Sequence, residues 1–176
     1  MKIKLMLGFL FLSVVCSAQQ YSFIVSNSAN NSVNVEFKSL NKKQDIILGG
    51  GISYFYNKGN KGKDYSLFVA DLSGTYETII AKEGSIFFVI GNKISNSLSC
   101  NFRFGMGSII KYTNGIGLPT LPNERWYTRQ RVTEDLLCGL NIQYNTGHLS
   151  LSCGWDSFNS FNAGIGFNFK SNNNKL

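Results

Sequence analysis

The densest chemistry in this chain of 176 residues lies at His148-Leu149-Ser150, which holds its single histidine. A histidine two positions from a serine offers a general base and a nucleophile, the pair an acyl-cleaving hydrolase needs once a carboxylate orients the imidazole. Cys100, Cys138 and Cys153 stand at no metal-ligand spacing, and their odd number argues against a disulfide framework. Gly49-Gly50-Gly51 is followed by no helix and no Lys-Ser/Thr, so it reads as strand glycines packed in a narrow interior and not as a phosphate loop. Arg103, Asp135, Lys111, Glu36 and Asp156 fall on polar faces of apolar-patterned segments, where pairing would be structural filling. No cofactor motif and no metal set emerges.

The elements that must position these residues are strands. Between Leu98 and Tyr112, residues Leu98, Cys100, Phe102, Phe104, Met106, Ile110 and Tyr112 alternate with Ser99, Asn101, Arg103, Gly105, Gly107 and Lys111. Val132 to Tyr144 repeats the pattern, with Glu134 and Leu137 as exceptions. Asn145-Thr146-Gly147-His148 then reads as a tight hairpin centred on Thr146-Gly147. Pairing Asn145 with His148 sends Leu149, Leu151, Cys153 and Trp155 to the apolar face, leaves His148 and Ser150 on the polar one, and makes Cys138 and Cys153 diagonal neighbours. Phe161, Ala163, Ile165, Phe167 and Phe169 form the apolar face of a last strand.

Upstream, Tyr21–Val25, Val33–Phe37 and the glycine-rich Ile46–Tyr56 are weaker strands, and Ser85–Gly91 is apolar on both faces, so its register is open. About eight strands result. Their connections alternate in length: short near 41–44, 94–97 and 146–147, long at 57–84 and 113–130, with part of 65–80 extending a strand beyond the membrane. The long connections carry Lys58, Lys61 and Lys63 in one and Arg125, Trp126, Tyr127, Arg129 and Arg131 in the other. These are the candidate surface contacts, suited to anionic headgroups or a partner through charge and stacking.

At the N-terminus, Lys2 and Lys4 precede an apolar run from Leu5 to Val15 and the small-residue site Cys16-Ser17-Ala18, a cleaved secretory signal over residues 1–18. The run falls short of the ~20 residues a membrane helix needs. Residues 19–176 are then one domain, with no later run of that length, so membrane residence has to be as a barrel. Losing Lys2 and Lys4 takes the formal charge of +7 to about +5, a balance suited to an anionic surface and carrying no nucleic-acid motif.

Alternation by itself allows either polarity, a membrane barrel or a soluble periplasmic lipocalin-like binder. The polar face decides for the membrane, because it is Gly, Ser, Asn and Thr where a solvated face would carry Lys and Glu. Tyr54, Tyr56, Tyr112, Tyr144, Trp155 and Phe169 near strand ends match interfacial girdles. The all-β expectation is therefore a closed, antiparallel, up-and-down transmembrane barrel.

The stretch Asn162-Ala163-Gly164-Ile165-Gly166-Phe167-Asn168-Phe169 resembles the C-terminal assembly signal of outer-membrane barrels, with a polar residue, a glycine and two aromatics one residue apart. Gly139 to Phe169 as a whole resembles the last strands of small OmpA-like and opacity-type barrels, although Lys170–Leu176 extend past the usual stop. The resemblance implies insertion by the barrel-assembly machinery into an outer membrane of lipid and lipopolysaccharide, with both termini in the periplasm. The His-x-Ser pair is similar to that of lipid A deacylase barrels. There, however, the pair faces lipid, whereas here the hairpin turns it inward, and the acid expected fourteen residues on is Asn162. The expected role is structural, adhesive or surface-interacting, through an extracellular or envelope partner, with lipid A modification by His148 and Ser150 as the alternative.

Overall fold

The computed structural model describes residues 20–41, 45–56, 63–64, 76–118 and 121–170. The leader, Lys58, Lys61 and the tail after Lys170 lie outside the described residues. Period-two alternation appears from the first strand, β1 (Gln20–Ser28), which turns Phe23 and Val25 outward and buries Ser22, Ile24, Ser26 and Ser28. β2 (Ser32–Asn41) and β3 (Ile46–Phe55) follow, then the two-residue β4 (Lys63–Asp64), β5 (Tyr76–Lys93), β6 (Leu98–Leu118), β7 (Leu121–Thr146), β8 (Leu149–Asp156) and β9 (Ser160–Lys170).

Antiparallel neighbours run β7-β6-β5-β3-β2-β1-β9-β8, and β8 pairs back onto β7, so eight strands close with no free edge at mid-height. Closure is what a sheet needs where no water can satisfy its peptide groups. Among the described residues β4 alone stands outside the ring, parallel to β7 beside Trp126 and Tyr127. The outer wall carries Phe23, Val25, Phe37, Ile86, Phe88, Phe102, Phe104, Leu140, Ile165 and Phe167, all exposed, while Ser, Asn and charged side chains are buried within. That inverts a soluble protein's distribution. The lipocalin-like alternative, which needs an apolar interior with room for a ligand, does not survive it.

The β7–β8 register differs from the expected one by two positions. Thr146 pairs with Leu149 and Asn145 with Ser150, so Gly147 and His148 form the turn. Gly147 has φ +60°, the left-handed value that a type II′ turn places on its first central residue. Glycine therefore leads the turn. A shift of two keeps every side chain on its expected face, but it sets Cys153 opposite Ile142 and puts Cys138 beside Ser157, so the two cysteines are not diagonal neighbours. All three described cysteines are free thiols.

The expected long loop at 113–130 is instead a continued hairpin, with β6 running to Leu118 and β7 resuming at Leu121. Two bulges explain why periodicity missed it. Glu83 on β5 and Val132 on β7 have no opposite residue, which shifts the registers beside Ile109. Past them, Ile110 and Tyr112, expected to face lipid, are buried, and so is Trp126.

The open register of Ser85–Gly91 resolves with Ile86, Phe88 and Ile90 outward and Ser85, Phe87 and Val89 inward. Phe87 and Val89 join Phe55, Leu137 and Phe158 in an apolar plug in the half of the lumen nearer the long hairpin. Gly51 and Gly105 leave the space Phe87 occupies, since a Cβ on either would overlap it.

Candidate functional site

The tempting catalytic pair sits at the short-turn end. Ser150 is buried, its Oγ 2.7 Å from Asn145 Oδ1 and 2.8 Å from Asn168 Oδ1, so amide oxygens compete for its proton. Asn168 Nδ2 in turn reaches the Leu149 carbonyl at 3.1 Å, and Gln143 Nε2 donates to Asn145 Oδ1 at 2.8 Å. His148 is exposed on the turn, where its Nδ1 faces the Asn168 carbonyl at 3.4 Å and not a carboxylate. Asn162, at the position of the missing acid, accepts from Arg103 Nη1 at 2.8 Å. Gln143, Asn145, Ser150 and Asn168 are thus packed as a hydrogen-bonded floor, an arrangement that orients no imidazole toward a serine.

Above that floor lies a buried ion cluster. Arg103 on β6 crosses the lumen, bonding Glu36 on β2 through Nη2 and lying 3.4 Å from Asp156 Oδ2 through Nη1. Lys38 Nζ is 2.9 Å from Glu36 Oε2 and donates to Gln143 Oε1 at 3.2 Å. Two cations and two anions thus neutralise one another at essentially zero exposure. Neutrality matters there, because an uncompensated buried charge costs several kcal/mol. The Arg103 guanidinium also sits 5.4 Å from the Phe87 ring centroid, joining the ion cluster to the apolar plug.

Of the five charges expected to pair inside, Glu36, Arg103 and Asp156 do so. Asp135 is exposed, and Lys111 lies half-buried on the hairpin. Lys38 is the member that sequence reading missed. The strand expected to end at Phe37 runs on to Asn41, and counting inward from Glu36 by two would have found it.

Asp156 has a second task. Its Oδ1 accepts the backbone N–H groups of Phe158 at 3.1 Å and Asn159 at 2.5 Å, which caps the β8–β9 turn. Lys82 braces the same turn, donating to the Phe158 carbonyl at 2.5 Å with its ammonium 4.7 Å from that ring's centroid.

At the opposite end from the floor, Arg125, Arg129 and Arg131 are exposed on β7 as expected of surface contacts. Arg131 pairs with Glu134, and Arg129 approaches Glu83 at 3.9 Å. Trp126 is a correction. It is 1% exposed, its ring lying over Gly115, so it anchors the hairpin and is unavailable for stacking on a partner. Tyr127 is half-buried, edge-on to Tyr112 with centroids 5.9 Å apart. Lys63 lies in β4 beside Trp126. No cluster of three His, Cys, Asp or Glu that would hold a metal ion occurs among the described residues.

No protein-family model and no curated protein sequence matches this chain. Among solved structures it is similar to Ail, the attachment invasion locus protein of Yersinia pestis, with a TM-score of 0.53 and 11% identity, covering 87% of this chain and 99% of that one. The chain folds as a transmembrane β-barrel. Ail in complex with the heparin analogue sucrose octasulfate aligns at a TM-score of 0.47 and 11% identity, over 86% of this chain and 95% of that one. A de novo designed transmembrane barrel aligns at 0.43 and 11% identity, over 88% and 96%. At such identity the likeness speaks for the fold, and the resemblance to small OmpA-like barrels holds at that level. The transmembrane barrel here has a filled lumen and one long charged hairpin.

Proposed function

We propose that this barrel resides in a bacterial outer membrane and acts by surface interaction, offering the β7 arm of the β6–β7 hairpin to anionic headgroups or to an extracellular or envelope partner. The observation that carries the reading is the contrast along β7. From Leu136 to Tyr144 its outward residues are apolar, whereas Arg125, Arg129 and Arg131 stand exposed beyond the bulge at Val132. Exposed arginines just past an apolar belt suit phosphate and carboxylate groups. The proposed route is export behind residues 1–18, cleavage after Ala18 and insertion by the barrel-assembly machinery with both chain ends in the periplasm. Attachment is the role named for the Yersinia pestis barrel; here the reading rests on this chain's own charge pattern.

Cell fractionation tests the location, with recovery expected in the detergent-soluble outer-membrane fraction and heat-modifiable migration on a gel. Recovery in the detergent-free periplasm would refute it. For the surface role, cells bearing Arg125→Ala/Arg129→Ala/Arg131→Ala should lose binding to anionic surfaces while the barrel still migrates as folded. Unchanged lipid A acylation in a His148→Ala/Ser150→Ala variant would separate this reading from the lipid-modifying alternative.

A further inference from the structure

We propose that the β8–β9 turn is a latched lid on the lumen, and that the barrel passes small ions when the latch at Asp156 is released. The turn, Ser157 to Asn159, folds its Phe158 ring down into the barrel mouth, where it is 0% exposed. Phe158 meets Phe55 edge-on at a centroid distance of 5.5 Å, in a seat left open by Gly107, where any Cβ would overlap the ring. At its far end the turn is held against a backbone preference. Ser160 has φ +67°, an uncommon conformation for serine, whereas the turns from β1 and β2 place Asn31 and Asp45 at φ +57° and +52°. The bonds from Asp156 and Lys82 are what keep it there.

One carboxylate serves two barriers. Asp156 Oδ1 holds the lid through the Phe158 and Asn159 amides, and Oδ2 receives Asn159 Nδ2 at 3.2 Å while facing Arg103, whose side chain spans the lumen below. Releasing Asp156 loosens both. Around the ion cluster the lumen is lined by polar side chains, with Asn34, Asn101, Asn141 and Ser152 all buried. A lining of that kind can carry water and small ions once the mouth above it is open.

The test is single-channel recording of the full chain in planar lipid bilayers. The unaltered barrel should stay mostly closed. Phe158→Ala, which leaves the ion cluster intact, and Asp156→Asn, which keeps the shape but not the charge, should each raise the open fraction by about tenfold or more, the first by removing a buried ring from the closed state and the second by weakening the charge-assisted bonds that hold the turn.

A cross-link provides the converse. Ser157 N donates to the Cys138 carbonyl at 2.9 Å, and Cys138 N donates to Ser157 Oγ at 3.1 Å. These two bonds hold Ser157 directly beside Cys138, one step beyond the paired Gly139 and Asp156, the side-by-side placement a disulfide needs. Ser157→Cys, with Cys100 and Cys153 changed to alanine, should therefore bond to Cys138, close the Asp156→Asn channel when oxidised and reopen it on reduction. Open fractions equal to the unaltered protein's in folded Phe158→Ala, or a cross-link that leaves the Asp156→Asn trace unchanged, would overturn the proposal. If Asp156→Asn does not fold, Phe158→Ala alone decides.

Discussion

Below the bulges at Glu83 and Val132 and above them, this barrel follows different rules, although the same strands run through both regions. Along β6 from Leu98 to Met106, every second residue is set by what lies beside it, hydrocarbon outside and packed polar groups inside. Past Ile109 period two continues, with Ile110, Tyr112 and Asn114 buried and Lys111 and Thr113 only half-buried, but the opposite set of positions turns inward. Tyr112, Asn114, Gly115 and Trp126 are buried by packing within and around the hairpin. A bulge thus resets the phase of the pattern without ending it.

Substitutions on either side of that boundary should behave differently. The largest effect is expected from Arg103→Ala, which leaves Glu36 and Asp156 buried beside a single remaining cation. Unfolding by denaturant in lipid or detergent should show a loss of about 3–5 kcal/mol. Trp126→Ala removes comparable buried surface, roughly 3 kcal/mol or more, but only from the hairpin. Its signature should be faster amide exchange in Thr113–Leu118 and Leu121–Thr128, with the amides of β8 and β9 unchanged; uniform exchange throughout would erase the distinction between the two regions. Leu140→Arg, on the lipid face, should cost about 2–4 kcal/mol, whereas Val132→Arg at the bulge should cost about 0–1 kcal/mol. The smallest change runs the other way. Ser160→Gly relieves a left-handed serine and should stabilise the barrel by about 1 kcal/mol, read as a shift in unfolding midpoint.

How much the sequence disclosed follows the same line. The faces of β8, β9 and the lower halves of β6 and β7 were legible, because apolar and small polar residues alternate there and a membrane enforces the result. Ser85–Gly91 was not, since Phe87 and Val89 are as apolar as Phe88 and Ile90 and only their neighbours Gly51 and Gly105 explain which pair turns inward. The turn register slipped by two because Thr146-Gly147 and Gly147-His148 both contain a glycine, and only a φ value tells them apart. At the candidate sites, Glu36, Arg103 and Asp156 were visible as isolated charges on small-residue faces. Lys38 was hidden by a strand end read too early. Trp126 looked like a contact residue because nothing in the sequence marks Gly115 as its seat.

The seam between β1 and β9 has a consequence for how the chain is made. Tyr21 lies opposite Phe169 and Phe23 opposite Phe167, so the last pairing joins residues from the two ends of the polypeptide. Contacts so distant along the chain form slowly, after local hairpins have zipped. Until then the sheet is an open ribbon with two raw edges inside or against a lipid phase. A product truncated before Phe161 could never complete the ring, which makes the aromatic strand β9 the piece whose absence leaves all the preceding strands unfit for the bilayer.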